Sequence, residues 1–215
     1  MADYLLHESL QRTPEAMERL RQASVTVLGA GALGANLAET LARTGLGTLK
    51  VIDRDRVEEH NLSTQPYYKG DVGSFKARIL AASLYRAVGA KVEGVTRELE
   101  AGNISKLLEG SRLVVDCFDN SASRRLVTDF CLERGLPCLH AGLAAGYAEV
   151  IWNEDYRVPS PTGEDDCNYP LARNLVQLAV AVAAEVLVNF LLTGERRAYT
   201  VTLRDLAVKP YDFCD

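Results

Sequence analysis

VTVLGAGALGANLAETLARTGLGTLKVID, residues Val25 to Asp53, is the stretch from which the fold is read. Val25-Thr26-Val27-Leu28 is a short run of β-branched and aliphatic residues that breaks into glycines at Gly29, Gly31 and Gly34, the pattern of a buried strand entering a tight turn. From residue 32 to 44 the apolar side chains Leu33, Leu37 and Leu41 recur at helical spacing, and Gly45 and Gly47 end the run. Leu49-Lys50-Val51-Ile52-Asp53 reads as a second strand. The unit is β-α-β.

GxGxxG at such a junction has a physical rationale. Gly29 permits the turn, Gly31 lets backbone approach a phosphate, and Gly34 lets helix and strand pack closely. The helix amino end offers N–H groups and a favourable dipole to that phosphate. Asp53 closes the second strand at the offset where a carboxylate accepts hydrogen bonds from a ribose. Glycine-rich turns also arise for structural reasons alone. Strand, helix and acid together point to a nucleotide site.

Outward from this unit, residues 15–21 read as an amphipathic helix announced by Thr13-Pro14, and the segment before it, with His7 and Arg12, reads as an N-terminal arm over residues 1–18. After Asp53 a long polar loop spans residues 54–68 and carries Asp55, His60, Asn61, Ser63, Thr64 and Gln65; loops of that length in a compact domain tend to be functional. A helix over 74–88 follows, with Lys76 in its first turn. A lysine there opposes the helix dipole, which hints at a nearby anion; the alternative is a solvated surface lysine. Strands are expected over 91–97 and 113–117, a short helix over 104–109, and a helix over 121–134 stopped by Gly135. Next come a short strand over 137–140, a turn over 142–146 and a strand over 147–152. Residues 153–170, acidic and proline-bearing, read as a crossover loop; 171–192 as one long helix; and 198–206 as a closing strand. The expected architecture is a Rossmann-like, mostly parallel α/β sheet flanked by helices with a C-terminal antiparallel extension, in a single domain over 1–215.

Composition narrows the function. The 215 residues are 47% hydrophobic and 25% charged, with a formal net charge of −5, so no broad basic face for nucleic acid is advertised. The long apolar run near residues 175–192 is interrupted by Gln177, Glu185 and Asn189, which favours a buried helix over a membrane span. A cytoplasmic location is expected, since the first 24 residues are rich in Glu, Arg and Gln. Cys117, Cys131, Cys138, Cys167 and Cys214 are odd in number and contain no CxxC pair, arguing against a disulfide framework and against structural zinc.

The ordered set of motifs resembles the ubiquitin-activating-like adenylyltransferase family, the MoeB, ThiF and HesA-like enzymes. It comprises GAGALG at 29–34, Val51-Ile52-Asp53-Arg54-Asp55, Asn61-Leu62 with Gln65, and Lys76 within GSFKA. Asp116-Cys117-Phe118-Asp119-Asn120 followed by Arg124, a His140-Ala141-Gly142 turn and the long late helix complete it. The resemblance extends over about residues 19–206. It implies ATP-dependent adenylation of the C-terminal carboxylate of a ubiquitin-like or sulfur-carrier protein ending in Gly-Gly, with release of pyrophosphate, in a homodimer. By the same resemblance, Gly29, Gly31, Ala32, Gly34, Asp53, Asp55, Asn61, Gln65, Lys76, Asp119 and Asn120 would hold ATP. Asp53 would fix the ribose, Asn61 and Gln65 the phosphate side, Lys76 the phosphate charge, and Asp119 a Mg²⁺ ion with Asn120 beside it. Asp119 read alone is also a candidate N-cap for the following helix. Cys167 lies where several family members carry a cysteine that accepts the activated group, although Glu164-Asp165-Asp166 would raise its thiol pKa.

Three departures from the family pattern stand in the sequence. Thr64 occupies the place of an arginine before the loop glutamine, with Arg54, Arg124 or a partner subunit as substitutes. Arg12 is a poor match to an N-terminal arginine finger, and the zinc-binding CxxC pairs are absent. Two other functions use the same fingerprint: an NAD-dependent oxidoreductase, which leaves Asn61, Gln65, Lys76 and Asp119 without work, and a catalytically degenerate nucleotide-binding scaffold, which the Thr64 departure motivates.

Overall fold

A computed structural model describes residues 3–160 and 170–211. After a helical turn at Asp3–Leu5, the elements in chain order begin with α1 (Leu6–Gln11), α2 (Pro14–Gln22), β1 (Ser24–Leu28), α3 (Ala32–Thr44) and β2 (Thr48–Ile52). They continue with α4 (Lys76–Val88), β3 (Val92–Val95), α5 (Ile104–Leu107), β4 (Leu113–Asp116), α6 (Ser121–Arg134), β5 (Cys138–Ala144) and β6 (Tyr147–Trp152). The last three are α7 (Arg173–Thr193), β7 (Tyr199–Thr202) and β8 (Ala207–Pro210). Local signals start and stop them. Thr13 caps α2 by accepting the Ala16 N–H with Pro14 at its first position, Asn120 caps α6 by accepting the Ser123 N–H, and α3, α4, α6 and α7 each end on a left-handed glycine.

The eight strands form one sheet in the order β3-β2-β1-β4-β5-β6-β7-β8, parallel from β3 through β5 and antiparallel thereafter. The chain thus winds outward from β1 in both directions, and the strand order reverses between β1 and β4. Ligands of open α/β sheets bind outside the carboxyl ends of strands at such a reversal. Side chains of α2, α3, α4 and α7 form one core layer with Val25, Val27, Val51 and Val115, while α5 and α6 pack Ile104, Leu108, Val127 and Cys131 against Leu28, Ile52 and Val114 on the other face. Burial on both faces explains why the central strands read as continuous apolar runs rather than alternating ones. Helix α7 is long and apolar enough to cross a membrane by length and composition, yet it lies against α2, α3, β5, β6 and β7 with Leu175, Val176, Ala179, Ala183 and Leu187 buried.

Several expectations need correction. The turn expected over 142–146 is only Ala145-Gly146, both at positive φ (41° and 92°); a two-residue turn of that kind continues both ladders, so β5 runs on through Gly142. The closing strand stops at Thr202 and turns at Leu206, φ 53°, into β8, which pairs back on β7. The helix expected from residue 74 starts at Lys76. Residues of the expected N-terminal arm are helical, with Leu5 buried over Gly45 and Met17, and Arg12 pairs with Glu8 and, at 3.3 Å, with Glu185 of α7.

Candidate functional site

The glycine loop leaves β1 and turns directly beneath the end of β4. Gly29 has φ +89°, and a Cβ there would lie 3.1 Å from the Cys117 carbonyl oxygen, so only glycine lets the two strand ends meet. Gly34 lies so close to the loop that an added Cβ would fall 1.9 Å from the Gly29 carbonyl oxygen. Gly31 differs: a Cβ on it would meet nothing within 4 Å. It sits at the amino end of α3, which carries no side-chain cap. That end keeps its first-turn N–H groups and a positive dipole facing open space, the physical requirement for holding phosphate.

Asp53 is 7% exposed and holds the loop in shape: its Oδ2 accepts the Ala30 N–H and its Oδ1 accepts the Asp55 N–H, each at 2.6 Å. Burial pushes its carboxyl above the ordinary carboxylate range, opposed by those two N–H groups and by the Lys76 ammonium. From the polar loop, Tyr67 reaches back to donate its hydroxyl to the Ala30 carbonyl at 2.8 Å, a contact with no sequence signal. Lys76 is 8% exposed with Nζ 3.8 Å from Asp55 Oδ2, which removes the reading of a solvated surface lysine.

Asn61 lies in a 3-10 turn, Glu59–Ser63; its Oδ1 accepts the Glu58 N–H while its Nδ2 has no partner among the described residues. Gln65 is buried and its Oε1 has no hydrogen-bond partner among the described residues. Buried amide atoms are rarely left so, and an amide flip would present either a donor or an acceptor to a ligand. Asp119 is exposed on the loop after β4, and the N-cap of α6 is Asn120, so the capping alternative for Asp119 does not hold. The donor set suits a Mg²⁺ ion, which needs few protein carboxylates when phosphate oxygens supply the rest. No group of three or more His, Cys, Asp or Glu that could by itself hold a metal ion occurs among the described residues. Arg54 pairs with Glu98 at 2.5 Å. Cys167 lies outside the described residues.

Behind β4 and β5 is a polar network that sequence periodicity gave no reason to expect. His140, fully buried, lies 2.9 Å by Nδ1 from Asp116 Oδ2 and 2.6 Å by Nε2 from Asn153 Oδ1, while Asn153 Nδ2 donates to the Thr128 carbonyl. Tyr156 stacks on the imidazole at 3.9 Å and accepts a hydrogen bond from Arg124, whose other nitrogen donates to the Ala141 carbonyl. Burial alone would lower the pKa of the Arg124 guanidinium; the Asp116 charge and the Tyr156 phenol outweigh it, and it stays above the ordinary value. The network braces the Asp116-to-Asp119 turn, since Asp116 Oδ1 also accepts the Phe118 N–H at 3.0 Å. Arg124 is thereby committed to the interior. Two cavities of about 300 and 430 Å³ adjoin Pro137 at the amino ends of β4 and β5 and contain none of the predicted site residues.

A mixed sheet whose parallel half carries a glycine loop and an acid-bearing loop meeting at its reversal point defines a Rossmann-like α/β protein. Residues 7–193 match the ThiF family, and the chain belongs to it. It is 34% identical over 138 residues to the sulfur carrier protein ThiS adenylyltransferase of Bacillus subtilis, covering 62% of this chain and 41% of that protein. It is 38% identical over 133 residues to the SAMP-activating enzyme E1 of Haloferax volcanii, covering 60% and 49%. The matched region therefore spans about half or less of these relatives. In fold it is similar to E. coli MccB crystallised with ATP (TM-score 0.81, 17% identity, 99% of this chain and 72% of that one) and to PaaA (TM-score 0.78, 19% identity, 97% and 71%).

Proposed function

We propose that this protein adenylates the C-terminal carboxylate of a ubiquitin-like or sulfur-carrier protein ending in Gly-Gly, using ATP and releasing pyrophosphate. The observation that carries the reading is the uncapped amino end of α3 with open space at Gly31, where neighbouring Gly29 lies against Cys117 and Phe118 at the start of the Asp119 loop. Similarity to sulfur-carrier adenylyltransferases supports the substrate class.

The chemistry matches the residue types. The attacking carboxylate is already an anion and needs no strong base, so catalysis rests on in-line placement at the α-phosphorus and on stabilising charge. Asp53 shapes the loop and faces the ribose side, Lys76 offsets phosphate charge, and Asn61 Nδ2 and the Gln65 amide hold phosphate oxygens. Asp119, with Asn120 beside it, would hold Mg²⁺, which screens the phosphates when bound. Thioester formation at Cys167 is a further proposed step: the thiolate attacks the adenylate carbonyl, the acyl C–O bond to phosphate breaks, and AMP leaves. A homodimer is proposed on the family resemblance.

The test is ATP–pyrophosphate exchange by the purified chain with Mg²⁺ and carrier proteins ending in Gly-Gly. Carrier-dependent exchange is expected, and Cys167→Ala should retain it while losing any thioester. Carrier binding without exchange would instead favour a degenerate scaffold, and tight nicotinamide binding an oxidoreductase.

A further inference from the structure

We infer that Arg173, the first residue of α7, is a ligand of the nucleotide's β- and γ-phosphates. This deepens the adenylation reading and rests on it. Nothing in the local sequence around Arg173 points to this role; three long-range hydrogen bonds do.

Gln177, one turn into α7, donates from Nε2 to Asn36 Oδ1 at 3.1 Å. Asn36 in turn donates from Nδ2 to the carbonyls of Ala32, 2.7 Å, and Thr64, 2.8 Å. Helices α3 and α7 run in the same direction: at their far ends the Gly47 N–H bonds the Leu20 carbonyl while Arg19 bonds the Leu192 carbonyl, so both finish against α2. One turn back from Asn36 is Ala32, next to Gly31; one turn back from Gln177 is Arg173. The Arg173 backbone therefore stands level with the amino end of α3, about 6 Å of helix axis above the Asn36–Gln177 contact.

There Arg173 is exposed, and its Nη1 donates to the Ser63 carbonyl at 3.3 Å, a neutral partner at long range. No carboxylate pairs with it among the described residues. Lys76, already assigned to the phosphates, also faces Asp55; Arg54 pairs with Glu98, and Arg124 is buried among Asp116, Tyr156 and the Ala141 carbonyl. The loop contributes no cation at Thr64, which is buried with its carbonyl held by Asn36. Arg173 is thus held in place by the loop without being neutralised by it, and a guanidinium so placed matches phosphate oxygens in a fork. The leaving pyrophosphate is where negative charge accumulates.

The experiment compares wild type with Arg173→Ala and Arg173→Lys in equilibrium binding of ATP and of AMP, in the KM for ATP and kcat of exchange, and in thermal melting. Arg173→Ala should weaken ATP at least tenfold, leave AMP within twofold and melt with wild type; Arg173→Lys should recover part of the loss. Unchanged ATP affinity in Arg173→Ala refutes the inference alone, as does an equal loss of ATP and AMP, which would mark a structural role. Wild type failing to bind ATP would refute the adenylation reading and the inference together.

Discussion

Adding one methyl group at Gly34 or at Gly31 should separate the two jobs of the glycine loop. At Gly34 the new Cβ would stand 1.9 Å from the Gly29 carbonyl oxygen, 3.0 Å from the Gly29 carbonyl carbon and 3.2 Å from Val27 Cγ1. Against an ordinary carbon contact of about 3.5 Å, the first approach is short by roughly 1.6 Å. Two of those three neighbours are backbone, so no side chain can swing aside; α3 must lift from the loop or the loop must shift. Overpacking of this kind costs about 1–3 kcal/mol, and a backbone clash belongs at the upper end, near 3 kcal/mol, out of a total stability of roughly 5–15 kcal/mol. For a chain of this size that corresponds to a melting temperature lower by about 6–12 °C. At Gly31 the methyl would enter open space at φ −82°, so Gly31→Ala should melt within about 2 °C of wild type, a change of under roughly 0.5 kcal/mol, yet bind ATP at least tenfold more weakly. Calorimetry and equilibrium ATP binding on both variants decide the matter. A Gly34→Ala protein that melts like wild type refutes the packing argument; a Gly31→Ala protein that binds ATP normally shows that the open space is not a phosphate cradle.

Asp119→Asn should abolish pyrophosphate exchange without lowering the melting temperature, because the side chain is exposed and the α6 cap belongs to Asn120; residual exchange above a few per cent would remove Asp119 from the chemistry. Asp116→Asn should destabilise by about 3–5 kcal/mol, since it leaves Arg124 and the His140 imidazole around a neutral group in the interior, and chemical denaturation measures it. Burial raises the Glu149 carboxyl above its ordinary value despite the opposing charges of Arg124 and His140. Its folded-state pKa thus exceeds its unfolded one, so this group's contribution to stability is fully present below the ordinary carboxylate range and is lost as pH rises through the folded value. Glu149→Gln should therefore gain on wild type between pH 4 and 7, and parallel melting profiles across that range would count against the shift. Burial also pushes the Cys117 thiol up to about 12 and Cys138 well above its usual value, so alkylation at pH 8 should modify both only after unfolding, as read by mass spectrometry.

Most of the fold is legible in the residues because the signals are local. Glycine spacing at 29–34, helical periodicity from 32 to 44 and left-handed glycines after four helices each act within a turn or two, and the resulting β-α-β units wind into a doubly wound sheet with little freedom left. The errors fell where a local pattern had two outcomes. Gly142 reads as a turn in sequence but sits mid-strand, and Leu206 reads as strand but turns the chain, because the partner strand decides which residues pair.

By itself, then, the sequence determined the glycine loop, the acids at the ends of two strands, and a lysine opening a helix. What only the tertiary structure decided is how those groups are held. Asn36 meets Gln177 across 141 positions, Arg173 meets Ser63 across 110, and His140 bridges Asp116 and Asn153 from inside the sheet. No periodicity encodes such contacts: they exist only once packing has brought α7 beside α3 and buried polar groups have had to find partners in place of water.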